Sequence, residues 1–332
     1  MTSPRQGELV LGIDAGNTKT VALLVRRDGA VLGAGRAPQA NIYRSKKRAY
    51  AATTRAARGA CEAAGVPWEG RPFGALTVSA TGADWPEDFT EWRRALREWN
   101  WAERSEVVND AVGALRAGSR CGTGVAVACG TSAGIAARAP GGAAWHTSYW
   151  QEPEGAEQLG TLALRAVYRA ELGIDPPTSL TGRVLEAFGA ATVEEVLHRQ
   201  TGREQRPKPT GPLARLLLDE AARGDPVSRK LVLKHGADLG DYALAAARQV
   251  GLGGAYRLVT SGGVMRHPAP ELRGAMLERV REVHPEVCWQ PSALEPVAGA
   301  VLLALEQGGK SVDAAVFDRL ASTMPPADFF TT

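Results

Sequence analysis

The sequence is poor in several features that mark whole classes of protein. Its 332 residues include four cysteines, Cys61, Cys121, Cys129 and Cys288. They show no close pair and no histidine at a zinc-ligand spacing, so we predict buried, reduced thiols and no metal site built on cysteine. No apolar run approaches membrane-spanning length, and the N-terminus has no apolar signal core. We therefore expect a cytoplasmic protein with no membrane partner.

Neither sign of charge is in excess. The 39 basic residues nearly balance the 36 acidic ones, which gives a formal net charge of +3. The charges are spread along the chain and form no basic patch of the kind that binds nucleic acid, so we expect no nucleic-acid partner. A chain of this length is long for one hydrophobic core, and two units of ordinary size are expected.

The first turn near the N-terminus lacks the two phosphate motifs that lead into a helix, the Gly-Lys-Ser/Thr pattern and the three spaced glycines of dinucleotide sites. An apolar run instead ends at Asp14, turns through residues 15–19, resumes at 20–25 and turns again at Asp28-Gly29, a dipeptide typical of tight hairpins. This predicts a three-stranded antiparallel meander. Its first turn can gather backbone N–H groups around an anion while Asp14 faces a divalent cation. An ordinary hairpin with a polar turn is the alternative.

The same pattern recurs in the second half of the chain. A run at 124–129 is followed by the turn Gly130-Thr-Ser-Ala-Gly134, a second run at 135–138 and another turn at 140–142. An internal duplication explains this recurrence and places two phosphate-type hairpins at one cleft. The Gly-rich break at 116–124 separates the copies, so we predict one unit over residues 1–118 and another over 119–332.

The rest of the chain alternates predicted helices with short predicted strands. Strands are expected at 73–79, 106–108 and 257–260. Helices are expected at 44–65 with Ser45 as an N-cap, and at 86–99, 111–117, 157–171, 181–199, 213–223, 225–235, 239–250, 271–283, 296–305 and 312–320.

Five pieces together carry a resemblance to a known family. In order they are Asp14-Ala-Gly-Asn-Thr18, Asn109-Asp110-Ala111, Gly130-Thr-Ser-Ala-Gly134, Ser261-Gly-Gly263 and the apolar helix at 296–305. Over nearly the whole chain, the sequence resembles the actin-like ATPase superfamily. Within it, the resemblance is to the BadF/BadG/BcrA/BcrD ATPase group, whose sugar-kinase branch contains N-acetylglucosamine kinases. This implies an α/β fold of two actin-like (ribonuclease H-like) lobes, each a mixed sheet flanked by helices, with a cleft between them. The last helices can pack back on the N-terminal lobe.

The resemblance also implies roles for single residues. Asp14 would hold Mg²⁺, and Asp110 would be the general base that accepts the proton of an acceptor hydroxyl. A helix N-cap is the alternative role for Asp110. ATP and Mg²⁺ are the implied cofactors, and a homodimer is the implied assembly. The other positions that would bind the nucleotide are Gly16, Asn17, Thr18, Lys19, Thr131, Ser132, Gly211, Gly262 and Gly263.

The acceptor site follows the family pattern only in part. Asn41, Trp145 and Glu154 match sugar-binding positions, although capping of the next helix is an alternative role for Asn41. Gly134 and Pro153 stand where the N-acetylglucosamine kinases place a hydroxyl-binding Asn and Asp. We therefore expect poor use of N-acetylglucosamine, because unmatched hydroxyls are costly to desolvate.

The segment after Trp145 differs from the family pattern in further ways. Glu152 can replace the missing carboxylate of the acceptor site, whereas Tyr149 and Trp150 add aromatic surface to the same segment. Packing of these aromatic side chains in the core of the lobe is the other interpretation.

The sequence thus predicts an ATP-dependent kinase that phosphorylates a hydroxyl of a sugar, amino sugar or sugar-like metabolite. Two alternatives stay open. One is an ATPase that activates a 2-hydroxyacyl-CoA dehydratase or a benzoyl-CoA reductase, with Cys121 and Cys129 as candidate iron–sulfur ligands. The other is a nucleotide-binding regulator without an acceptor.

Overall fold

The computed structural model of this chain describes residues 8–150, 152–203 and 206–331. Its framework is a pair of five-stranded mixed sheets. The first sheet consists of β1 (Leu9–Ala15), β2 (Lys19–Arg26), β3 (Val31–Pro38), β4 (Phe73–Ala80) and β5 (Ala102–Asn109). The second consists of β6 (Gly124–Cys129), β7 (Ala133–Arg138), β8 (Ala144–His146), β9 (Arg257–Ser261) and β10 (Cys288–Pro291).

The two sheets share one topology. The strand order is β3-β2-β1-β4-β5 in the first and β10-β9-β6-β7-β8 in the second, which is the same order counted from the meander. In each, three strands form an antiparallel meander, and the fourth strand runs parallel to the first. Because β1 and β4 are parallel, the turn after Ala15 and the loop after Ala80 lie at the same edge of the sheet.

Helices cover both sheets. Among the described residues, no helix combines the length and apolar character needed to cross a membrane. Short 3₁₀ turns lie at Ser148–Trp150 and Ala327–Phe330. The helices are α1 (Ile42–Ala64), α2 (Pro86–Trp99), α3 (Asp110–Gly118), α4 (Ala156–Glu171), α5 (Leu180–Phe188), α6 (Val193–Gln200), α7 (Leu213–Ala222), α8 (Pro226–Gln249), α9 (Glu271–Val283), α10 (Pro296–Gln307) and α11 (Ala314–Thr323).

Helices α3 and α10 cross between the sheets at very short range. A Cβ on Gly299 of α10 would lie 1.8 Å from the carbonyl oxygen of Gly113 in α3, so this crossing needs glycine. Leu115 of α3 packs with apolar residues of the second sheet. The apolar faces of α10 and α11 pack with Val10 and Leu23 of the first sheet. The two C-terminal helices α10 and α11 therefore pack on the first sheet, which contains the N-terminal strands.

Two sequence predictions of helix boundaries were wrong. The predicted helices at 225–235 and 239–250 are the single helix α8, because Gly236 lies against α9 and does not break the helix. A Cβ there would meet the Leu272 carbonyl oxygen at 2.2 Å. Conversely, the predicted helix at 181–199 is divided into α5 and α6, because Gly189 ends α5 in the left-handed conformation and Thr192 caps α6.

Further differences concern edge strands and cysteines. The short strands β8 and β10 were not predicted, since three or four residues carry too little periodicity to be recognised. All four cysteines are free, but only Cys61 and Cys129 are buried as expected, whereas Cys121 and Cys288 are exposed.

Candidate functional site

The first turns of the two meanders face each other. Asn17 Nδ2 donates to Ser132 Oγ (3.2 Å), and the hydroxyls of Thr18 and Thr131 are 3.3 Å apart. Between the turns lies a cavity of about 180 Å³, which we call the glycine cavity. Its lining includes Asp14, Gly16, Asn17, Thr18, Thr81, Asp110, Gly130, Thr131, Ser132, Gly134, Ser261 and Gly262.

Glycine is required at the wall of this cavity. Gly262 has φ +92°, and a Cβ there would lie 2.3 Å from the Cys129 carbonyl oxygen. The backbone N–H of Gly16 donates to the Lys19 carbonyl oxygen (3.0 Å), and a Cβ added at Gly16 would lie 2.9 Å from that oxygen. A Cβ on Gly263, by contrast, would point into open space. The chain thus brings bare backbone to the cavity at both sheets.

Asp14 places a carboxylate near the end of β1, at the edge of the glycine cavity. Burial raises its pKa to about 7, and the negative charge of Asp110 adds to this rise, while Lys19 opposes it. Burial also lowers the pKa of Lys19. The described residues hold no group of three or more His, Cys, Asp or Glu side chains that would bind a metal by themselves. A cation at Asp14 would need further oxygen ligands from another molecule.

Asp110 is the first residue of α3. The N-cap of that helix is Asn109, whose Oδ1 accepts from the Ala111 N–H (3.0 Å), so the capping role considered for Asp110 is wrong. Asp110 Oδ2 instead accepts a 2.5 Å hydrogen bond from Thr81 Oγ1, and burial raises the pKa of the carboxyl. The bond from Thr81 and the backbone N–H groups of Asp110 and Ala111 oppose this rise, and the side chain lines the cavities at the start of α3.

A second cavity, of about 290 Å³, adjoins the first. We call it the carboxylate cavity. Asp110 lines both cavities and therefore lies where they meet. The other lining residues are Asn17, Asn41, Tyr43, Thr81, Gly82, Asp84, Trp85, Ser132, Ala133, Gly134, Ser148, Tyr149 and Glu154.

The carboxylate cavity is acidic. Burial raises the pKa of Asp84 to about 6, helped by the charges of Asp110 and Asp88. Burial also raises the pKa of Glu154, whose Oε2 accepts from the Ala133 N–H at 3.3 Å. Among the described residues that line the cavity, none is Lys, Arg or His. The cavity therefore presents carboxylates, amides and hydroxyls, a set suited to a small ligand rich in hydroxyl groups.

Asn41 performs two tasks at once. Its Oδ1 accepts from the Tyr43 N–H (2.8 Å) and so caps α1, the structural role considered for it. Its Nδ2 donates to Asn17 Oδ1 (2.7 Å), and the residue lines the carboxylate cavity. Ser45, the predicted cap, has extended backbone angles inside this helix and accepts from the Arg48 N–H (3.3 Å), which marks a kink after the first turn.

Two residues predicted for the acceptor site lie elsewhere. Trp145 lies in β8, where it pairs with Ala137 of β7, and its side chain packs against the apolar core of the second sheet. Glu152 is exposed, and its carbonyl oxygen accepts from Gln158 Nε2 (3.0 Å). Neither is among the residues that line the carboxylate cavity in the described part of the chain. The edge strand β8 places Trp145 against the core, and Glu152 lies on the surface after that strand, which the sequence pattern did not reveal.

Gly211 lies directly before the N-cap of α7, and its N–H donates to Glu157 Oε2 (3.2 Å). Its neighbour Thr210 lines a third cavity of about 480 Å³. That cavity also reaches Thr131 and Ser132 of the second turn. The structure therefore connects the region of Gly211 with the glycine cavity.

Sequence reasoning missed the loop after β4. Thr81, Asp84 and Trp85 all line the carboxylate cavity. A signal was present, because a polar, Gly-containing segment followed a buried strand, and ligands gather at the carboxyl ends of parallel strands. The sequence did not show that β4 pairs with β1, and this pairing places the loop beside the first turn.

Comparisons with known proteins agree with this geometry. The chain is 24% identical to an N-acetyl-D-glucosamine kinase of Dictyostelium discoideum, over 90% of this chain and 98% of that protein. A Chromobacterium violaceum structure assigned as an N-acetylglucosamine kinase matches with a TM-score of 0.69 and 23% identity, covering 90% of this chain and 100% of the other.

A ROK family glucokinase from Streptomyces griseus, solved with glucose and AMPPNP, matches with a TM-score of 0.57 and 17% identity over 90% of this chain and 99% of that one. The fold is accordingly the actin-like sugar-kinase fold that the sequence predicted. The sequence model of one family matches residues 11–304, which is most of the chain. The chain belongs to the BadF/BadG/BcrA/BcrD ATPase family.

Proposed function

We propose that this protein is a kinase that transfers the γ-phosphoryl group of ATP to a hydroxyl of a sugar, amino sugar or sugar-like metabolite. The observation that carries the proposal is the position of Asp110. Its carboxylate lies where a glycine-lined cavity meets a cavity lined by carboxylates, amides and hydroxyls. A kinase needs this arrangement, with the phosphates on one side of a base and the acceptor on the other.

The glycine cavity has the features of a phosphate site. Backbone at Gly16 and Gly262 comes close to the cavity, and the Thr18 and Thr131 hydroxyls flank it. Asp14 supplies the hard oxygen ligand that Mg²⁺ prefers. Burial and the charge of Asp110 raise its pKa, so a cation bound beside it would stabilise the ionised carboxylate. Bound Mg²⁺ would neutralise charge on the β- and γ-phosphates. The adjoining third cavity, beside Gly211, offers room for the rest of the nucleotide.

In this proposal Asp110 accepts the proton of the acceptor hydroxyl as that oxygen attacks the γ-phosphorus. Thr81 orients the carboxylate through the hydrogen bond from Oγ1 to Asp110 Oδ2. The raised pKa makes this carboxyl a stronger base than a solvent-exposed aspartate, which favours proton transfer from an alcohol. Asn41 and Glu154 remain to hold the other hydroxyls of the acceptor.

The relatives support the sugar-kinase assignment, since the curated relative is named as an N-acetyl-D-glucosamine kinase. The structure gives no support to an iron–sulfur role for Cys129. That residue is fully buried in β6, and burial raises the pKa of its thiol to about 12, which disfavours the thiolate that a cluster ligand needs. We therefore do not favour the dehydratase-activator alternative.

A coupled assay of ADP release with a panel of acceptors tests the proposal. The panel should contain glucose, glucosamine, N-acetylglucosamine, deoxy sugars and cyclitols, with product phosphorylation followed by mass spectrometry. We expect ADP release that depends on Mg²⁺ and on one class of acceptor, with poor use of N-acetylglucosamine because Gly134 and Pro153 replace two hydroxyl-binding side chains. ADP release that no acceptor stimulates would instead support a nucleotide-binding regulator. Light scattering of the same sample tests the proposed homodimer.

A further inference from the structure

Two aromatic side chains meet across the opening between the sheets. Trp85, in the loop after β4, and Tyr149, in the 3₁₀ turn after β8, stack with ring centroids 3.4 Å apart and planes 6° from parallel. Both line the carboxylate cavity. Both residues are also partly exposed to solvent, Trp85 by 42% and Tyr149 by 44% of their surface. The stack is therefore a thin partition between the cavity and bulk water.

The Trp85 side of the stack is anchored in the first half of the chain. The backbone N–H of Trp85 donates to Asp88 Oδ2 (2.8 Å), and the same oxygen accepts a hydrogen bond from the Tyr43 hydroxyl. Trp85 also precedes Pro86 and has the extended backbone that this position favours. The backbone that carries the indole is thus held at the start of α2.

The Tyr149 side is anchored by its neighbour Ser148. Asn109 Nδ2 donates to Ser148 Oγ (3.1 Å) and also to Asp84 Oδ1 (2.9 Å), so one amide ties the two arms of the partition together. Ser148 Oγ also contacts His146 Nδ1 at 2.7 Å. Because Asn109 directly precedes Asp110, the partition is positioned relative to the proposed base.

We propose that the Trp85–Tyr149 stack is the wall that limits the acceptor to a single sugar-sized ring, so that these two side chains determine acceptor size. At about 290 Å³ the cavity lies just below the usual range for small-molecule sites, roughly 300 to 1,000 Å³. A second ring that extends from the acceptor on this side would meet the two stacked side chains. This inference rests on the proposed kinase function and extends it to substrate size.

The chain offers a matched control. Trp150 follows Tyr149 and lies tilted against it, with centroids 5.7 Å apart. It is 64% exposed and is not among the lining residues of the carboxylate cavity. Trp150→Ala therefore removes a comparable exposed aromatic group from the same segment without opening the wall.

The experiment compares Trp85→Ala, Tyr149→Ala and Trp150→Ala with the wild type. For each protein, kcat/KM is measured with the best monosaccharide of the acceptor panel and with disaccharides that carry this sugar as a terminal residue. We expect the first two variants to raise the disaccharide-to-monosaccharide ratio of kcat/KM by about tenfold or more, since loss of steric exclusion changes discrimination by that order. Trp150→Ala should leave the ratio unchanged, and Trp85→Phe should keep it close to the wild-type value.

An unchanged ratio in folded Trp85→Ala and Tyr149→Ala would overturn the proposal, while activity on the monosaccharide would leave the kinase function intact. Lack of any acceptor-dependent turnover in the wild type would instead reject the proposed function. If an alanine variant binds nucleotide but has lost turnover, calorimetric titration with the disaccharide decides the question. Binding by the variant and not by the wild type supports the wall, and no gain in binding contradicts it.

Discussion

The two meanders of this protein share a backbone plan but differ in their chemistry. Gly16 follows the last residue of β1 as Gly130 follows the last residue of β6, and each glycine donates its N–H back across its own turn. By this correspondence, Asp14 in the first meander matches Ala128 in the second. Lys19 begins β2, whereas its counterpart Ala133 begins β7. A repeated backbone therefore supplies two similar turns, of which only the first is flanked by charged residues.

The comparison teaches how the duplicated parts can be specialised. Backbone N–H groups and hydroxyls suit an extended polyphosphate from either side, so both turns can keep them. A bound cation needs a carboxylate on only one side, and the base must be on the side of the acceptor. In this chain Asp14 and Asp110 both come from the first half, and the second half contributes Glu154 and the Ser148–Tyr149 arm. We expect changes in the first half to affect chemistry most strongly.

Asp110→Asn should have the largest effect. We expect turnover with the true acceptor to fall by about two to four orders of magnitude, because the asparagine cannot accept the proton, while nucleotide affinity stays nearly unchanged. Single-turnover kinetics and nucleotide titration on the same preparation separate the two quantities. Turnover close to the wild-type rate would show that Asp110 is not the base.

The asymmetry between the turns predicts unequal effects of Asp14→Asn and Ser132→Ala. Loss of the Asp14 charge should weaken Mg²⁺-dependent nucleotide binding by roughly one to two orders of magnitude, since charge-assisted contacts are about twice as strong as neutral ones. Ser132→Ala removes a neutral hydroxyl that accepts from Asn17 and should weaken binding by less than about tenfold. Calorimetric titration with a nonhydrolysable nucleotide, with and without Mg²⁺, measures both. Equal losses would contradict the division of roles.

The α3–α10 crossing, which both halves share, should be sensitive to added volume. Gly299→Ala places a methyl group against the Gly113 carbonyl, and we expect it to lower the free energy of unfolding by about 1–3 kcal/mol. Gly274→Ala in α9 is the matched control, because a Cβ there meets nothing within 4 Å. It should stabilise the helix by about 0.5–1 kcal/mol. Urea unfolding measures the change in the free energy of unfolding for both variants, which should have opposite signs. Equal changes in the two variants would exclude a packing effect at Gly299.

The smallest effects concern the pH dependence of stability and two groups, Asp84 and His146, that each contact Ser148. The pKa of Asp84 rises from 3.8 to about 6, so the folded state binds more protons than the unfolded state between these values. Its contribution to stability therefore falls as pH rises from about 4 to about 6. Burial lowers the pKa of His146 from 6.5 to about 4, so its contribution is lost as pH falls through that window.

Asp84→Asn and His146→Gln should therefore change the pH dependence of stability in opposite directions. Relative to the wild type, Asp84→Asn should gain stability as pH rises from 4 to 6, and His146→Gln should gain as pH falls from 6.5 to 4. Denaturant unfolding across this range gives both slopes. Parallel slopes would mean that burial does not set these two pKa values.

The sequence by itself determined the repeating plan of the molecule. Apolar runs and small-residue turns predicted the first meander and the β6–β7 hairpin of the second, because a strand run and a hairpin turn are local properties. The order of five short motifs predicted the family and its fold. The ends of predicted strands selected Asp14 and Asp110, and the resemblance to the family selected Asn41.

Only the tertiary structure decided which side chains share a cavity. Trp85 and Tyr149 are 64 positions apart and meet because the parallel pairing of β1 with β4 and the edge strand β8 bring their loops together. Trp145, which the motif alignment favoured, packs against the core from the edge strand, and Glu152 is exposed beyond it. Pairings between distant strands depend on the packing of the whole sheet, and no local pattern contains that information.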